Sequence, residues 1–214
     1  MARKQQPVNP PGNRQAAYSA RNRASLIEHA QEVLAEIGPD ATVEQISAHA
    51  QVSPTTLYKY FDNKEALFAE ALDTAWKEWV VWSYGGVAPA SSLEAVLDTA
   101  RKILWVDRTH PLLAKMICNS LERPSFFLAA VQEGAAKTLR TLSKNGILPT
   151  EDFDKRMILW GNAGVGLLAA VHVTRQLTPA EAEESMAIAL SIWGISEAKA
   201  KKLMSRPLVF PPTK

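Results

Sequence analysis

Cysteine is nearly absent: Cys118 is the single one in 214 residues. A disulfide framework is therefore excluded, and one thiol suits a reducing compartment. No apolar signal-peptide core follows the start, so the expected location is the cytoplasm. Net charge is slight, +2 from 24 basic and 22 acidic residues, too little for a composition-wide nucleic-acid footprint. Charge that meets an anion must then be local, and it is local at the front: Arg3, Lys4, Arg14, Arg21 and Arg23 precede the first acid, Glu28. Sustained apolar/polar alternation is missing, which argues against strands, and no repeat with a period of roughly 20–50 residues is present.

Catalytic patterns are missing too. His29, His49, His110 and His172 fall on separate elements without H-x-x-x-H or H-E-x-x-H spacing, so neither a metal nor a cofactor is expected. Cys118 lies in an apolar stretch and reads as a packed small hydrophobe, while Ser91 and Ser92 read as helix caps. Enzymatic activity is not expected.

What is present is concentrated in TVEQISAHAQVSPTTLYKYFDNK, Thr42 to Lys64. Thr42 and Gln45 have the spacing of a capping box, which predicts a helix start. Val43, Ile46 and Ala50 follow at helical spacing, with the small Ser47 on the same face letting a second helix approach. Gln51, Val52 and Ser53 form a three-residue break in which Val52 can plug the angle between two helices. Ser53 then caps, and Pro54 suits the first helical position. Leu57 and Phe61 share one face of the second helix, predicted from Pro54 to Tyr60 or Phe61, leaving Thr55, Thr56, Tyr58, Lys59 and Tyr60 largely outward. Hydroxyls, phenols and an amine suit phosphates and base edges. Two short helices with a tight turn and a polar outward second helix describe a helix-turn-helix.

The run VSPTTLYKYFDNKEALF resembles the signature of TetR-family transcriptional regulators, V-S-x-x-T-L-Y-x-H-F-x-x-K-E-x-L, and the resemblance covers about residues 21 to 72. It departs in two places: Gln51 stands where the family often has glycine, and Tyr60 where it often has histidine. The resemblance implies that Thr56, Tyr58 and Lys64 grip the DNA backbone and that Pro54, Thr55 and Lys59 meet base edges. Thr42, Ser53 and Tyr60 complete the expected DNA-binding set. An ammonium at Lys64, at the start of the next helix, also points independently to a nearby anion.

Residues 1–19, rich in Pro, Asn, Gln and Arg, are expected to be a disordered basic arm, either solvated or reaching phosphates and the minor groove through Arg14, Arg21 and Arg23. Leu26, Ile27, Ala30, Val33, Leu34 and Ile37 predict a helix ended by Gly38 and Pro39, packed behind the motif. The DNA-binding domain is placed at 20–64. From a cap at Asp62 or Asn63, Leu67 through Val80 predict a long helix that leaves this head and forms the lever into the body. Gly85, Gly86 and Pro89 break the pattern, which then stays helical: Leu93 to Leu104, Leu112 to Leu121, Phe126 to Leu142, about 151–176, 179–193 and Ser196 to Met204. The body is placed at 65–206, with a tail at 207–214.

Met157 to Val173 is nearly continuous in apolar residues, yet Asn162, its glycines and His172 make it a poor membrane span of about 17 residues. Gly164, Gly166 and Ala169 mimic a dinucleotide fingerprint without the required preceding strand, and that match is discarded. The helix is either an internal core element or, since its glycines and alanines permit close approach, a subunit interface. The resemblance implies a homodimer through 151–176 and 179–193. Trp76, Trp79, Trp82, Trp105, Phe126, Phe127 and Trp160, with Met116 nearby, either fill a core or line an apolar cavity. The candidate ligand-binding set is Trp76, Trp79, Trp105, Met116, Phe127, Trp160 and His172, with Asn119 and Arg175 as further polar candidates.

The expectation is an all-α protein, a small three-helix DNA-binding head on a larger helical ligand-binding and dimerisation body. Its expected function is ligand-responsive transcriptional regulation, a repressor by family habit. Its expected partners are a pseudo-palindromic DNA operator, a second copy and a small, largely apolar effector, with no membrane. The alternatives are a helical small-molecule-binding protein or enzyme with a vestigial head, or an interaction module anchored by Tyr58 and Tyr60.

Overall fold

The computed structural model describes residues 11–85, 92–121, 123, 128 and 136–213, and among these every regular element is helical. The first is α1 (Pro11–Glu36), then α2 (Val43–His49), α3 (Pro54–Tyr58) and α4 (Lys64–Ser83). The body continues with α5 (Leu93–Lys102), a 3-10 turn at Ile103–Trp105, α6 (Val106–Thr109), α7 (Pro111–Ser120) and α8 (136–144). It closes with α9 (Phe153–His172), α10 (Pro179–Ala189), a second 3-10 turn at Leu190–Trp193 and α11 (Glu197–Met204).

Of the expected arm, residues 1–10 lie outside the described residues, and the remainder is corrected by α1. Residues 11–19 are helical, with Pro11 in the first turn, where its missing N–H costs nothing. No apolar stripe marks this part because it buries nothing: residues 14–21 are all exposed, and Arg14, Gln15, Ala16 and Ala17 sustain the helix on propensity alone. From Leu26 onward the expected stripe is buried, with Ala30 and Leu34 inaccessible, while Ile37 stays exposed.

Gly38, at φ 93°, ends α1 in a conformation that disfavours any side chain. The last carbonyls of α1 are then met from the body: Asn119 Nδ2 donates to Leu34 O at 3.2 Å and Ala35 O at 3.0 Å. Asn119 is thus engaged in capping α1 rather than free to orient a ligand.

The predicted long helix after the motif is present. Asn63 Oδ1 accepts from Ala66 N at 2.7 Å to start α4, whose 20 residues span about 30 Å. Its Leu67, Phe68, Ala71, Leu72 and Trp79 are buried in one continuous cluster with Leu26 to Leu34 of the head and Met116 and Ile117 of α7. A second cluster, around Leu97, Leu142, Phe153, Leu190 and Trp193, closes the far end of the body, and Trp160 packs against both.

Polar groups hold the body elements in register. Arg101 Nε donates to Glu183 at 2.7 Å and Trp105 Nε1 to the same carboxylate at 2.6 Å, joining α5 and the 3-10 turn to α10. Lys102 Nζ donates to the Ser83 carbonyl at the end of α4, and burial pushes its pKa down. The tail folds back: Trp82 Nε1 donates to Pro212 O at 2.9 Å, and Phe210 meets the Trp105 ring edge-on.

α9 begins at Phe153, with Asp152 in the left-handed region at φ 53° and making no side-chain cap, so the expected start at 151 is two residues early. Gly164 and Gly166 admit no close approach within the chain, since a Cβ on either would meet nothing within 4 Å. Among the described residues no helix is long and apolar enough to cross a membrane.

Candidate nucleic-acid interface and effector cavity

Local capping builds the motif as its spacing requires. Thr42 Oγ1 accepts from Gln45 N at 3.2 Å while Gln45 Oε1 accepts from Thr42 N at 2.8 Å. Gln51 closes α2 at φ 55°, so a glutamine holds the left-handed conformation that glycine would adopt freely. Val52, partly buried, packs into the core at the corner. Ser53 Oγ accepts from Thr56 N at 3.2 Å and starts α3 behind Pro54.

α3 is a single short helix held by two anchors, Leu57 at 0% exposure and Phe61 at 5%. Ser53, Pro54, Thr55, Tyr58 and Lys59 are exposed around it, as is Thr42. Thr56 and Tyr60 are half-buried: the Thr56 hydroxyl shares a 2.9 Å hydrogen bond with Ser53 Oγ, and Tyr60 Oη accepts from Asn22 Nδ2 at 3.3 Å. α3 ends at Tyr58, so Lys59 and Tyr60 sit in the turn beyond it rather than in the helix.

Two basic residues have partners that the sequence reading did not supply. The Lys64 ammonium donates to Ala41 O at 2.9 Å and Pro39 O at 3.3 Å, so its position is accounted for within the chain, without a phosphate. Arg23 is gripped by both carboxylate oxygens of Glu70, a bond that raises its pKa, and lies over the Phe61 ring. It fixes α1 to α4 instead of extending as an arm. Arg14 and Arg21 remain exposed on the free part of α1, Arg21 stacked on Tyr18 at 4.7 Å.

The body contains a cavity of about 550 Å³ between α4, α5, α8, α9 and α10. Trp76 and Trp160 of the candidate set line it, with Ile103, Leu104, Leu168 and Met186, while Thr99, Thr141 and Lys137 bring polar atoms to the wall. The other described candidates are not among its lining residues. Trp79 stacks behind Trp76 at 5.1 Å, Trp105 is tied to Glu183, and Met116 is enclosed by the core shared with α1. His172 is buried away from the cavity, and that burial pushes its pKa down. Phe127 lies outside the described residues. The wall the sequence reading missed is Gly161, Ala163 and Gly164 of α9, small residues that leave space within the chain.

The histidines are less scattered than their numbering suggests. His29 and His49 meet across α1 and α2, ring centroids 5.4 Å apart, with Glu32 between them.

A short, outward α3 on a three-helix head, joined through one long helix to an all-α body with a cavity, defines a helix-turn-helix architecture. Residues 26–71 match the profile described as bacterial regulatory proteins, tetR family. The HTH-type transcriptional regulator RutR of Escherichia coli (strain K12) is 30% identical over 115 residues, 53% of this chain and 54% of RutR, and the RutR of Shigella flexneri matches equally. The chain thus spans about half the length of these curated relatives. RolR, solved in complex with resorcinol, has the same fold at a TM-score of 0.67 and 18% identity, over 91% of this chain and 98% of RolR. A TetR-family regulator from Shewanella sp. PV-4 superposes at 0.57 with 17% identity, over 81% of this chain and 96% of its own. The head thus matches the tetR-family profile over residues 26–71, and the chain shares the all-α fold of these solved structures.

Proposed function

We propose that the chain is a ligand-responsive, dimeric transcriptional regulator of the cytoplasm, acting as a repressor on a pseudo-palindromic operator. The observation that carries this reading is α3: it is anchored on its inner face by Leu57 and Phe61, and it turns Pro54, Thr55 and Tyr58 to solvent. Two copies would enter successive major grooves of one duplex face, about 34 Å apart. Tyr58, Thr56 and Ser53 would meet phosphates, and Thr55, Pro54 and Lys59 base edges. Phosphate contacts make binding salt-dependent without reading sequence.

The dimer would form on α9 and α10, where Ile158, Leu159 and Ile188 are exposed, Ile188 at 76%. Isolated exposed aliphatics are ordinary, but several on two adjacent helices fit an isologous four-helix contact. The effector would be a small, largely apolar molecule in the cavity; resorcinol in RolR sets the scale. α4 carries Trp76 on the cavity wall and Lys64 beneath the head, so a ligand that repositions α4 changes the separation of the two heads. It can shift DNA affinity only by its preference between the two geometries. No catalytic step belongs to this reading.

The test is selection from random duplex DNA by the purified chain, followed by titration of the enriched site at several salt concentrations. A two-fold-symmetric site with a steep salt slope supports the regulator. Absence of enrichment, after refolding to remove any co-purified ligand, overturns it in favour of a small-molecule-binding protein with a vestigial head.

A further inference from the structure

We propose that His29, Glu32 and His49 form a binding site for a divalent transition-metal ion of the zinc class on the surface of the head. His29 Nδ1 lies 3.3 Å from Glu32 Oε2, and His49 Nδ1 lies 3.7 Å from the same oxygen. The three ligand atoms all fall within 4.8 Å of one another. With zinc–nitrogen and zinc–oxygen bonds of about 2.0–2.2 Å, the edges of a coordination tetrahedron are about 3.3–3.6 Å long. The two imidazole–carboxylate separations bracket that edge and the imidazole pair lies within 4.8 Å, so side-chain adjustments of about an ångström bring all three donors onto one ion.

The donors come from two elements. His29 and Glu32 are one helical turn apart on α1, and His49 comes from the last turn of α2. The same nitrogen of each imidazole faces the carboxylate, and the rings meet edge-to-face at 67°, leaving neither stacked over the other's donor atom. Two imidazoles and one carboxylate suit zinc, cobalt, nickel or copper, whereas magnesium and calcium favour all-oxygen sets. All three side chains are partly exposed, so an ion has access from solvent, and water completes the coordination. An ion there ties α2, the first helix of the DNA-binding motif, to α1. Because its ligands converge only in the folded head, it stabilises that head.

The test uses the untagged full chain, stripped with a chelator and titrated with Co²⁺, followed by visible absorption, with Zn²⁺ added in competition. The expected result is one Co²⁺ per chain with a tetrahedral ligand-field band that Zn²⁺ abolishes and Mg²⁺ leaves unchanged. Zn²⁺ should also raise the thermal midpoint. His29→Gln and His49→Gln should each weaken binding by at least the roughly 10–100-fold that loss of a ligand's outer partner costs. Their metal-free midpoints should match the parent; where one fails to fold, Glu32→Gln replaces it. The proposal is overturned if the parent chain takes up no Co²⁺ or Zn²⁺ at millimolar concentration, or if both histidine variants bind as the parent does. The readout is metal uptake, so it stands or falls apart from DNA binding.

Discussion

Lys64 points its ammonium back into its own chain, to the Ala41 carbonyl 2.9 Å away, and so ties the start of α4 to the loop before α2. A charged hydrogen bond of this kind contributes about 1.5–3 kcal/mol. Lys64→Met should therefore lower the urea midpoint of the DNA-free protein without changing its m-value. An unchanged midpoint would mean that the bond contributes nothing. Any contact with phosphate would appear separately, as a shallower salt slope in DNA titration.

Leu57 is the fully buried anchor of α3. Leu57→Ala should cost about 2–5 kcal/mol in chemical denaturation. It should also abolish sequence-specific binding at temperatures where the rest of the chain is still helical by circular dichroism, because little else holds α3 in place.

Tyr58 and Thr55 should separate affinity from specificity. Tyr58 is 53% exposed, so Tyr58→Phe leaves stability within about 0.5 kcal/mol. It should weaken binding to all duplexes alike. Thr55→Val should change which base is preferred, with discrimination altered by about 1–3 kcal/mol per affected pair. Competition titrations against singly substituted operators distinguish the two patterns.

Gly164 borders the cavity, and a Cβ there meets nothing within 4 Å. Gly164→Ala should stabilise the helix by about 0.5–1 kcal/mol. Gly164→Leu fills the space instead, and should leave operator binding intact while making it insensitive to effector. A Leu variant that still releases DNA with effector would place the ligand elsewhere.

Ile188 is 76% exposed on α10. Ile188→Asp should convert a dimer to monomer in sedimentation and reduce operator affinity, with the monomer's helicity retained. If the mass is unchanged, the proposed contact does not run through this face.

The head was legible in the sequence because its signals are local: Thr42 with Gln45, Ser53 with Pro54 and Asn63 with Ala66 each act within three residues. The intrachain partners of Lys64 were not legible because its acceptors lie more than twenty positions away, where no spacing rule reaches. Arg23 with Glu70 and His29 with His49 were illegible for the same reason. The first part of α1 left no mark because an exposed helix carries no apolar period. In the body, aromatic content marked the neighbourhood of the cavity but not its wall: Trp76 faces the space, Trp79 stands behind it, and the glycines of α9 make room by what they lack.

The contact between Asn119 and the end of α1 also bears on how such proteins can be recombined. The last carbonyls of the head are satisfied by a body side chain some 85 positions downstream, next to a glycine whose Cβ position lies 3.5 Å from that side chain. A head transplanted onto a foreign body loses this seam unless the recipient offers an amide at the same place. The working unit of exchange is therefore the head together with its α7 footing, and chimaeras joined at α4 alone inherit a frayed first helix.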